Sequence, residues 1–177
     1  MKLLILDRDG VINYDSDAHI KSPDEWQPIE GSLEAIARFT KAGIKVVIAT
    51  NQSGIGRGLF DLDTLGAIHR KMHKAVQDAG GQISAVFFCP HPAASNCACR
   101  KPSPGMLTDI LERTRINASD AIMVGDSLRD LQAGHAAGCR TILVLTGNGR
   151  QTMDSEELPP GTTVRVDLAA VAAEMLT

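Results

Sequence analysis

LLILDRDG, residues 3 to 10, decides the fold, because four consecutive apolar residues run directly into two aspartates separated by one residue. A short, continuous apolar run of this kind is typical of a strand buried on both faces of a parallel sheet. Four further runs share its length and character: IKVVIA (44–49), ISAVFF (83–88), AIMV (121–124) and TILVL (141–145). Together they predict five buried parallel strands.

Segments with the apolar spacing of helices lie between these strands. They are SLEAIARFTKA closed by Gly43, DLDTLGAIHRKMHKAVQDA closed by Gly80, PGMLTDILERT opened by Pro104, and LRDLQAGHAA closed by Gly138. Residues 162–176 add a short strand and a closing helix. This alternation predicts an α/β fold with a doubly wound, Rossmann-like parallel sheet in a three-layer α/β/α arrangement, whose ligands bind beyond the carboxyl ends of the strands.

Composition limits the domain organisation and the possible partners. At 177 residues and 44% apolar content, the chain predicts a single domain, 1–177, without a large cap domain. A net charge of −3 without a basic run argues against a nucleic-acid partner. No signal sequence or membrane span is recognisable, so we expect a cytoplasmic protein with no membrane partner, and a monomer as the default state.

Polar residues follow the predicted strands at the edge where ligands should bind. Two carboxylate-bearing loops, at Asp7 and Asp126, together with a backbone carbonyl, would form an oxygen-rich site suited to Mg²⁺. A single aspartate after a strand is usually only a turn former. Phosphoryl transfer, however, needs a nucleophile, a proton carrier and anion donors, and Asp7, Asp9, Thr50 and Lys101 supply this set.

The stretch CPHPAASNCACRK, residues 89–101, carries a second candidate metal site. Cys89, His91, Cys97 and Cys99 supply the four tetrahedral ligands that Zn²⁺ prefers. Because four protein ligands leave no open position for water, we expect a structural zinc in a loop that ends at Lys101. Unpaired thiols are the alternative. Cys139, apart from this cluster, is expected to be a buried small apolar residue.

Four motifs, DRDGVIN, ATNQSG, CRKPSPGM and VGDSLRD, resemble those of the haloacid dehalogenase superfamily of phosphatases over residues 3 to about 145. The resemblance implies that Asp7 attacks phosphorus and forms an aspartyl-phosphate. It implies that Asp9 protonates the leaving oxygen and then activates water. It further implies that Asp7, the Asp9 backbone carbonyl and Asp126 bind Mg²⁺, while Thr50 and Lys101 hold the phosphoryl group.

The same resemblance implies the substrate contacts. A flap after the first motif and residues near the phosphoryl group would line the pocket: Asp15, Ser16, Asp17, Ala18, Asn51, Gln52, Ser53, Arg100 and Ser127. The planar fork of Arg100 suits a second phosphate or adjacent hydroxyls. Asp130 is expected to orient Lys101 or a water on the metal without binding the metal itself.

The function that the resemblance implies is Mg²⁺-dependent hydrolysis of a small sugar phosphate. We expect the 7-phosphate of a heptose 1,7-bisphosphate, in the synthesis of bacterial surface sugars such as lipopolysaccharide core. Histidinol phosphate is the nearest alternative substrate. A phospho-receiver signalling module is the alternative from another class, although Asp9 would hasten loss of a stored phosphoryl group. A zinc-dependent scaffold would leave the acidic residues without a role.

Three lesser patterns receive simpler interpretations. NQSGIGRG lacks the spacing of a P-loop and is interpreted as a flexible connection, with Arg57 a weak candidate for anion contact. His69 and His73 stand four residues apart beside lysines, which favours a solvated helix face. Gly147 and Gly149 are expected to be turn residues.

Overall fold

A computed structural model describes residues 1–155 and 157–176, and within them six parallel strands form one sheet. The strands are β1 (Leu3–Leu6), β2 (Lys45–Asn51), β3 (Ala85–Cys89), β4 (Ala121–Gly125), β5 (Arg140–Val144) and β6 (Thr163–Arg165). Their order across the sheet is β3-β2-β1-β4-β5-β6, with every pair of neighbours parallel. This is the doubly wound order, whose direction reverses between β1 and β4.

The helices of the described residues cover both faces of this sheet. They are α1 (Ser32–Lys41), α2 (Ser53–Gly56), α3 (Leu62–Asp78), α4 (Gly105–Thr114), α5 (Leu128–Ala136), α6 (Gly149–Asp154) and α7 (Leu168–Met175). Single 3₁₀ turns lie at Pro23–Glu25, Ala93–Ser95 and Ala118–Asp120. The described connections between strands hold no cap domain. The predicted α/β fold class is therefore confirmed.

Strand β1 shows why the apolar runs are continuous. Its Leu4 and Leu6 pack into a core with Phe39 of α1 and Met72 of α3, whereas Leu3 and Ile5 pack on the opposite face with Leu107 of α4. Successive side chains of a strand point to opposite faces, so a strand covered on both sides needs an apolar residue at every position. All four residues of β1 are fully buried.

The ends of the long helices follow the local signals in the sequence. Asp61 caps α3 by accepting a hydrogen bond from the backbone amide of Thr64 at 2.8 Å. Gly43 and Gly138 follow α1 and α5 with φ of 76° and 82°, a left-handed conformation that glycine adopts without steric cost. The helix boundaries expected from these residues are thus confirmed to within a few positions.

Two short helices were missed by the sequence interpretation. Ser53–Gly56 forms α2 where a flexible connection was expected. Gly149 is the first residue of α6 and not the turn residue that was expected. A Cβ atom at this position would lie 1.8 Å from the carbonyl oxygen of Val144. Glycine at this position allows the backbone to pack directly on the end of β5.

None of the helices described in residues 1–155 and 157–176 combines the length and apolar character needed to cross a bilayer.

Candidate active site

Three aspartates meet at the carboxyl edge of the sheet, where the strand order reverses. Asp7 follows β1, Asp126 follows the neighbouring strand β4, and Asp130 lies in the first turn of α5. One carboxylate oxygen of each lies within 4.8 Å of the others, and all three side chains are buried. The in-register pairing of Leu6 with Val124 brings the two strand ends together.

Two glycines allow the Asp126 carboxylate to fit into this crowded position. A Cβ atom added to Gly10 or to Gly147 would lie 2.1 Å from Asp126 Oδ2, and both residues have positive φ. The backbone amide of Asn148 donates to the same oxygen at 2.8 Å. The Asn148 side chain donates to it as well, at 3.3 Å. The chain therefore closes around Asp126 from both sides, which fixes the direction of its carboxylate.

Lys101 is the cation of the cluster. Its Nζ lies 3.0 Å from Asp7 Oδ1 and 2.7 Å from Asp130 Oδ1, and it donates to the Ala49 carbonyl at 2.6 Å. Burial alone would lower the pKa of Lys101, but the charges of Asp130 and Asp7 outweigh burial and raise it. The ammonium group is therefore charged and held by three fixed oxygens.

One ammonium group does not balance three clustered carboxylates. Burial, followed by the charge of Asp130, raises the pKa of Asp7 to about 7. Burial with the charges of Asp130 and Asp7 raises the pKa of Asp126 to about 8. Such repulsion is what a bound divalent cation relieves, and a set of carboxylate oxygens suits a hard cation.

The carboxylate of Asp9 is surrounded by nitrogen donors. Arg8 donates from Nε to Oδ1 at 2.8 Å and from Nη2 to Oδ2 at 3.1 Å. Asn13 donates to Oδ1 at 2.9 Å and Gln52 donates to Oδ2 at 3.1 Å. Burial raises the pKa of Asp9, but the Arg8 charge and these hydrogen bonds outweigh burial and lower it. The carboxylate is therefore anionic and fixed in plane.

Residues at the end of β2 connect the two sides of the site. Asn51 donates to the Lys101 carbonyl at 3.0 Å and accepts from the Lys101 amide at 3.1 Å. The Thr50 hydroxyl is buried and accepts from Gln52 Nε2 at 2.9 Å. Ser53 begins α2 and lines the site cavity. The backbone that carries Lys101 is thereby tied to β2.

A polar cavity of about 230 Å³ opens above these groups. Of the residues expected to contact substrate, the structure places some in its wall: Asp15, Ser16, Asp17, Asn51, Ser53 and Arg100. Three others lie outside the wall. Ala18 is exposed, Gln52 points toward Asp9, and Ser127 donates its hydroxyl hydrogen to Asp130 Oδ2 at 2.7 Å.

The Cys/His loop brings its four candidate ligands to one point. Cys99 Sγ lies 3.1 Å from Cys89 Sγ, 3.6 Å from Cys97 Sγ and 3.4 Å from His91 Nδ1. A zinc–sulfur bond of about 2.3 Å implies a tetrahedral edge of about 3.8 Å. The cysteines are free thiols, and the four ligand atoms lie within 4.8 Å of one another. This cluster could hold one tetrahedral metal ion.

Comparisons with known proteins agree with a phosphatase site of this geometry. The chain is 59% identical over 176 residues to the D-glycero-β-D-manno-heptose-1,7-bisphosphate 7-phosphatase of Bordetella bronchiseptica, covering 99% of this chain and 98% of that protein. It is 55% identical to the protein of the same name from Neisseria meningitidis serogroup A, covering 93% and 89% of the two chains. The HAD-hydrolase-like family model matches residues 98–171. The chain belongs to the haloacid dehalogenase (HAD) family of phosphatases.

A crystal structure of this branch of the HAD phosphatases shares the fold. The D,D-heptose 1,7-bisphosphate phosphatase of B. bronchiseptica, complexed with magnesium and phosphate, aligns with a TM-score of 0.98 at 59% identity, covering 99% of this chain and 98% of that one. The resemblance of the four motifs and the assignment as a phosphoric monoester hydrolase are confirmed. The relatives give no support to a histidinol-phosphate substrate or to a receiver module.

Several residues of this HAD phosphatase site were missed by sequence reasoning. His19, Arg129 and Asn148 line the cavity beside the predicted residues. Asn148 comes shortly after β5, so its position beyond the fifth strand is the signal that could have found it. Arg129 lies in the first turn of α5, and no sequence signal marked His19.

The expectation of a solvated face for His69 and its neighbours was wrong in part. His69 is half-buried, and its Nε2 lies 3.2 Å from Arg8 Nη1. Lys71 donates to the carbonyls of Pro23 and Trp26 at 2.7 and 2.9 Å. Only Lys74, paired with Asp78 at 2.8 Å, lies on the exposed face as expected. The helix period alone did not show that the loop after β1 folds back over this side of α3.

Proposed function

We propose that this HAD phosphatase removes the 7-phosphate of D-glycero-β-D-manno-heptose 1,7-bisphosphate with the help of Mg²⁺. The observation that carries the proposal is the 59% identity, over 99% of the chain, to an enzyme named for this reaction. The buried carboxylates and Lys101, at the edge of the sheet where the strand order reverses, support the same chemistry. The β anomer, which the sequence motifs did not distinguish, follows the names of the relatives.

The residues present fit a magnesium ion. Asp7 and Asp126 bring hard oxygen ligands to one point, and burial together with the charge of Asp130 raises the pKa of both, which a bound cation would counteract. Asp7, Asp126 and the backbone carbonyl of Asp9 would hold the ion. When bound, Mg²⁺ supplies positive charge against the phosphoryl oxygens and favours the ionised form of Asp7. Asp130, paired with Lys101 at 2.7 Å, would orient that lysine.

Asp7 is proposed as the nucleophile. The backbone amide of Arg8 and the Lys101 ammonium group both contact its Oδ1, at 2.8 and 3.0 Å. An Asp7 oxygen attacks phosphorus while the bond from phosphorus to the C7 oxygen breaks. Asp9, anionic in the free enzyme, takes up a proton when the phosphate dianion binds beside it, and this proton moves to the leaving oxygen. The products of this step are an aspartyl-phosphate and the free C7 hydroxyl.

Water then completes the reaction. The carboxylate of Asp9 takes a proton from a water molecule as the water oxygen attacks phosphorus. The bond between phosphorus and the Asp7 oxygen breaks, which restores the carboxylate and releases inorganic phosphate. Lys101 and the Thr50 hydroxyl are proposed to stabilise the phosphoryl oxygens in both steps.

The cavity wall suits the sugar and its second phosphate. Arg100 lies beside Lys101, at the mouth of the cavity, where a guanidinium fork can bind the 1-phosphate or neighbouring hydroxyls. The flap residues Asp15, Ser16 and Asp17 offer hydrogen bonds to hydroxyl groups. Ala18 and Ser127 lie outside the cavity wall and would contact the sugar after a shift of the flap and of the start of α5.

A structural zinc at Cys89, His91, Cys97 and Cys99 completes the proposal. The ligand atoms lie 3.1 to 3.6 Å apart, slightly less than the edge of about 3.8 Å in a tetrahedral zinc site, which supports the proposal. Its role would be to hold the loop that carries Arg100 and Lys101. We further propose that the enzyme acts as a monomer in the cytoplasm.

The first test is phosphate release with Mg²⁺ from α- and β-heptose 1,7-bisphosphate, histidinol phosphate and glucose 6-phosphate. We expect kcat/KM for the β anomer to exceed that for the α anomer about 10-fold, and the other two about 1000-fold or more. Asp7→Asn should release no phosphate while keeping its circular dichroism spectrum. Preference for histidinol phosphate would overturn the substrate, and an active Asp7→Asn would overturn the nucleophile.

A further inference from the structure

Arg8, between the nucleophile and the acid/base residue in the sequence, is fully buried. A buried guanidinium is costly unless its donors are paired, so its partners must be accounted for. Nε and Nη2 donate to the two oxygens of Asp9 at 2.8 and 3.1 Å. This two-point contact fixes the plane of the Asp9 carboxylate as well as its position.

The third nitrogen of Arg8 contacts a residue of another element. Nη1 lies 3.2 Å from Nε2 of His69, in the middle of α3. Arginine is always a donor, so Nε2 of His69 must be the acceptor and the ring proton must lie on Nδ1. Burial, then the charge of Arg8, lowers the pKa of His69 to about 4, which keeps the ring neutral near pH 7.

His69 therefore sits behind the guanidinium group, on the side away from Asp9. The Arg8 carbonyl is held as well, since it accepts from the amides of Ile12 at 2.8 Å and Val11 at 3.3 Å. With the backbone fixed by this turn and Nη1 held by His69, the side chain has few alternative directions. Without His69, one buried donor of Arg8 would lose its partner.

We infer that His69 is a positioning residue for the phosphatase reaction: by accepting a hydrogen bond from Arg8, it holds the guanidinium group that orients the Asp9 carboxylate. The inference rests on the proposed function, because it assigns His69 a part in proton transfer by Asp9. His69 does not touch the substrate in this role. It acts through Arg8, as residues behind metal ligands and catalytic groups commonly do.

A positioning role for His69 predicts different losses of rate on two substrates, whereas a merely structural role predicts the same loss on both. Protonation by Asp9 matters when the leaving group is a sugar alkoxide, which is a poor leaving group. It matters little for 4-nitrophenyl phosphate, whose leaving group departs without a proton. Loss of Asp9 orientation should therefore slow transfer from the sugar phosphate far more than the first release of nitrophenolate.

The test compares wild type, His69→Leu and His69→Gln on both substrates with Mg²⁺, the second substrate by the pre-steady-state burst of nitrophenolate. We expect His69→Leu to lower kcat for the heptose bisphosphate about 10-fold or more, with KM little changed. The nitrophenolate burst rate should change less than about 2-fold. His69→Gln keeps an acceptor and should recover most of the lost kcat.

His73→Leu is the matched control, since His73 lies one turn later on α3 and contacts neither Arg8 nor Asp9 in the described residues. It should keep the wild-type kcat. The burst amplitude counts active molecules, and kcat for the sugar phosphate is divided by it. Partial misfolding then lowers the amplitude but changes neither the corrected kcat nor the burst rate constant. Equal losses on both substrates, or no loss on the sugar phosphate, would overturn the inference. An inactive wild type would instead overturn the proposed function.

Discussion

At the residue scale, the two buried cations of the site, Lys101 and Arg8, each face an opposite charge within hydrogen-bonding distance. Lys101 lies between Asp7 and Asp130, and Arg8 faces Asp9. Removing one member of a buried pair leaves the other uncompensated, at a cost of roughly 3–5 kcal/mol. These ion pairs therefore fix the directions of the side chains in the site, in addition to apolar packing.

His69 should make the free energy of unfolding depend on pH. Its pKa of about 4 lies below the ordinary value of 6.5, so the unfolded chain binds the proton more tightly. The stability that a neutral His69 contributes is present above pH 6.5 and is lost as the pH falls toward 4. Between pH 7.5 and pH 5, wild type should lose about 1 kcal/mol more than His69→Gln, allowing for partial exposure of the ring.

Urea unfolding at the two pH values checks this expectation. His135→Gln is the control and should follow the wild-type dependence, because His135 is an exposed residue of α5 that makes no contact with His69 or Arg8 in the described residues. Parallel stability curves for wild type and His69→Gln would show that His69 is not held neutral by burial and by Arg8.

At the element scale, the loop after β3 positions the buried Lys101. Its four candidate ligands end at Cys99, and Lys101 follows two residues later. The loop is tied to β2 by the paired hydrogen bonds between Asn51 and the Lys101 backbone. One end of the loop is thus fixed by the sheet, and its interior depends on the Cys/His cluster.

Loss of metal from this cluster should reduce both stability and turnover. Cys97→Ala removes one ligand, and we expect bound zinc to fall below one equivalent and kcat to fall about 100-fold, since small displacements of Lys101 misplace the phosphoryl group. The melting temperature should fall in parallel. Elemental analysis, thermal unfolding and steady-state kinetics measure the three quantities.

Cys139→Ala provides the matched control, because Cys139 is a buried cysteine outside the cluster. This variant should keep its zinc and its kcat. A zinc-free preparation of the wild type with full activity would contradict the proposed structural role of the metal.

At the scale of the whole molecule, the site joins two halves of the chain. β1 and β4 are neighbours in the sheet, and the reversal of strand order between them brings Asp7 and Asp126 together. Asp126 is then enclosed by Gly10 from the first half and by Gly147 from the second. Folding therefore brings like charges together, and their repulsion lowers the free energy of unfolding.

Asp126→Asn should accordingly stabilise the metal-free protein while abolishing its response to Mg²⁺. Removal of one buried charge relieves repulsion with Asp7 and Asp130, and the asparagine oxygen can still accept from the Asn148 amide. We expect the free energy of unfolding without Mg²⁺ to rise by about 1–2 kcal/mol at pH 8. Added Mg²⁺ should raise the melting temperature of wild type only.

Asp109→Asn serves as the control, since Asp109 forms a surface ion pair with Arg113 at 2.8 Å. Its free energy of unfolding should change by less than about 0.5 kcal/mol. If Asp126→Asn were less stable than wild type without metal, the hydrogen bonds of the Asp126 carboxylate would outweigh its repulsion with Asp7 and Asp130.

The sequence by itself determined the layered fold and the ends of the strands where chemistry collects. This was possible because a strand covered on both faces must be apolar throughout, and because Asp7 and Asp126 directly follow such runs. It also placed Cys89, His91, Cys97 and Cys99 in one cluster, since they are close along the chain. Short-range spacing is visible in a sequence without knowledge of tertiary contacts.

Only the tertiary structure decided the contacts that cross the sheet edge. His69 reaches Arg8 across 61 positions, and Asn148 reaches Asp126 across 22, through packing that no local period encodes. The sequence predicted that Lys101 contacts the phosphoryl group, but its burial between two carboxylates is seen only in the fold. The electrostatics of the site depend on distances between groups far apart in the chain, and those distances exist only once the sheet has formed.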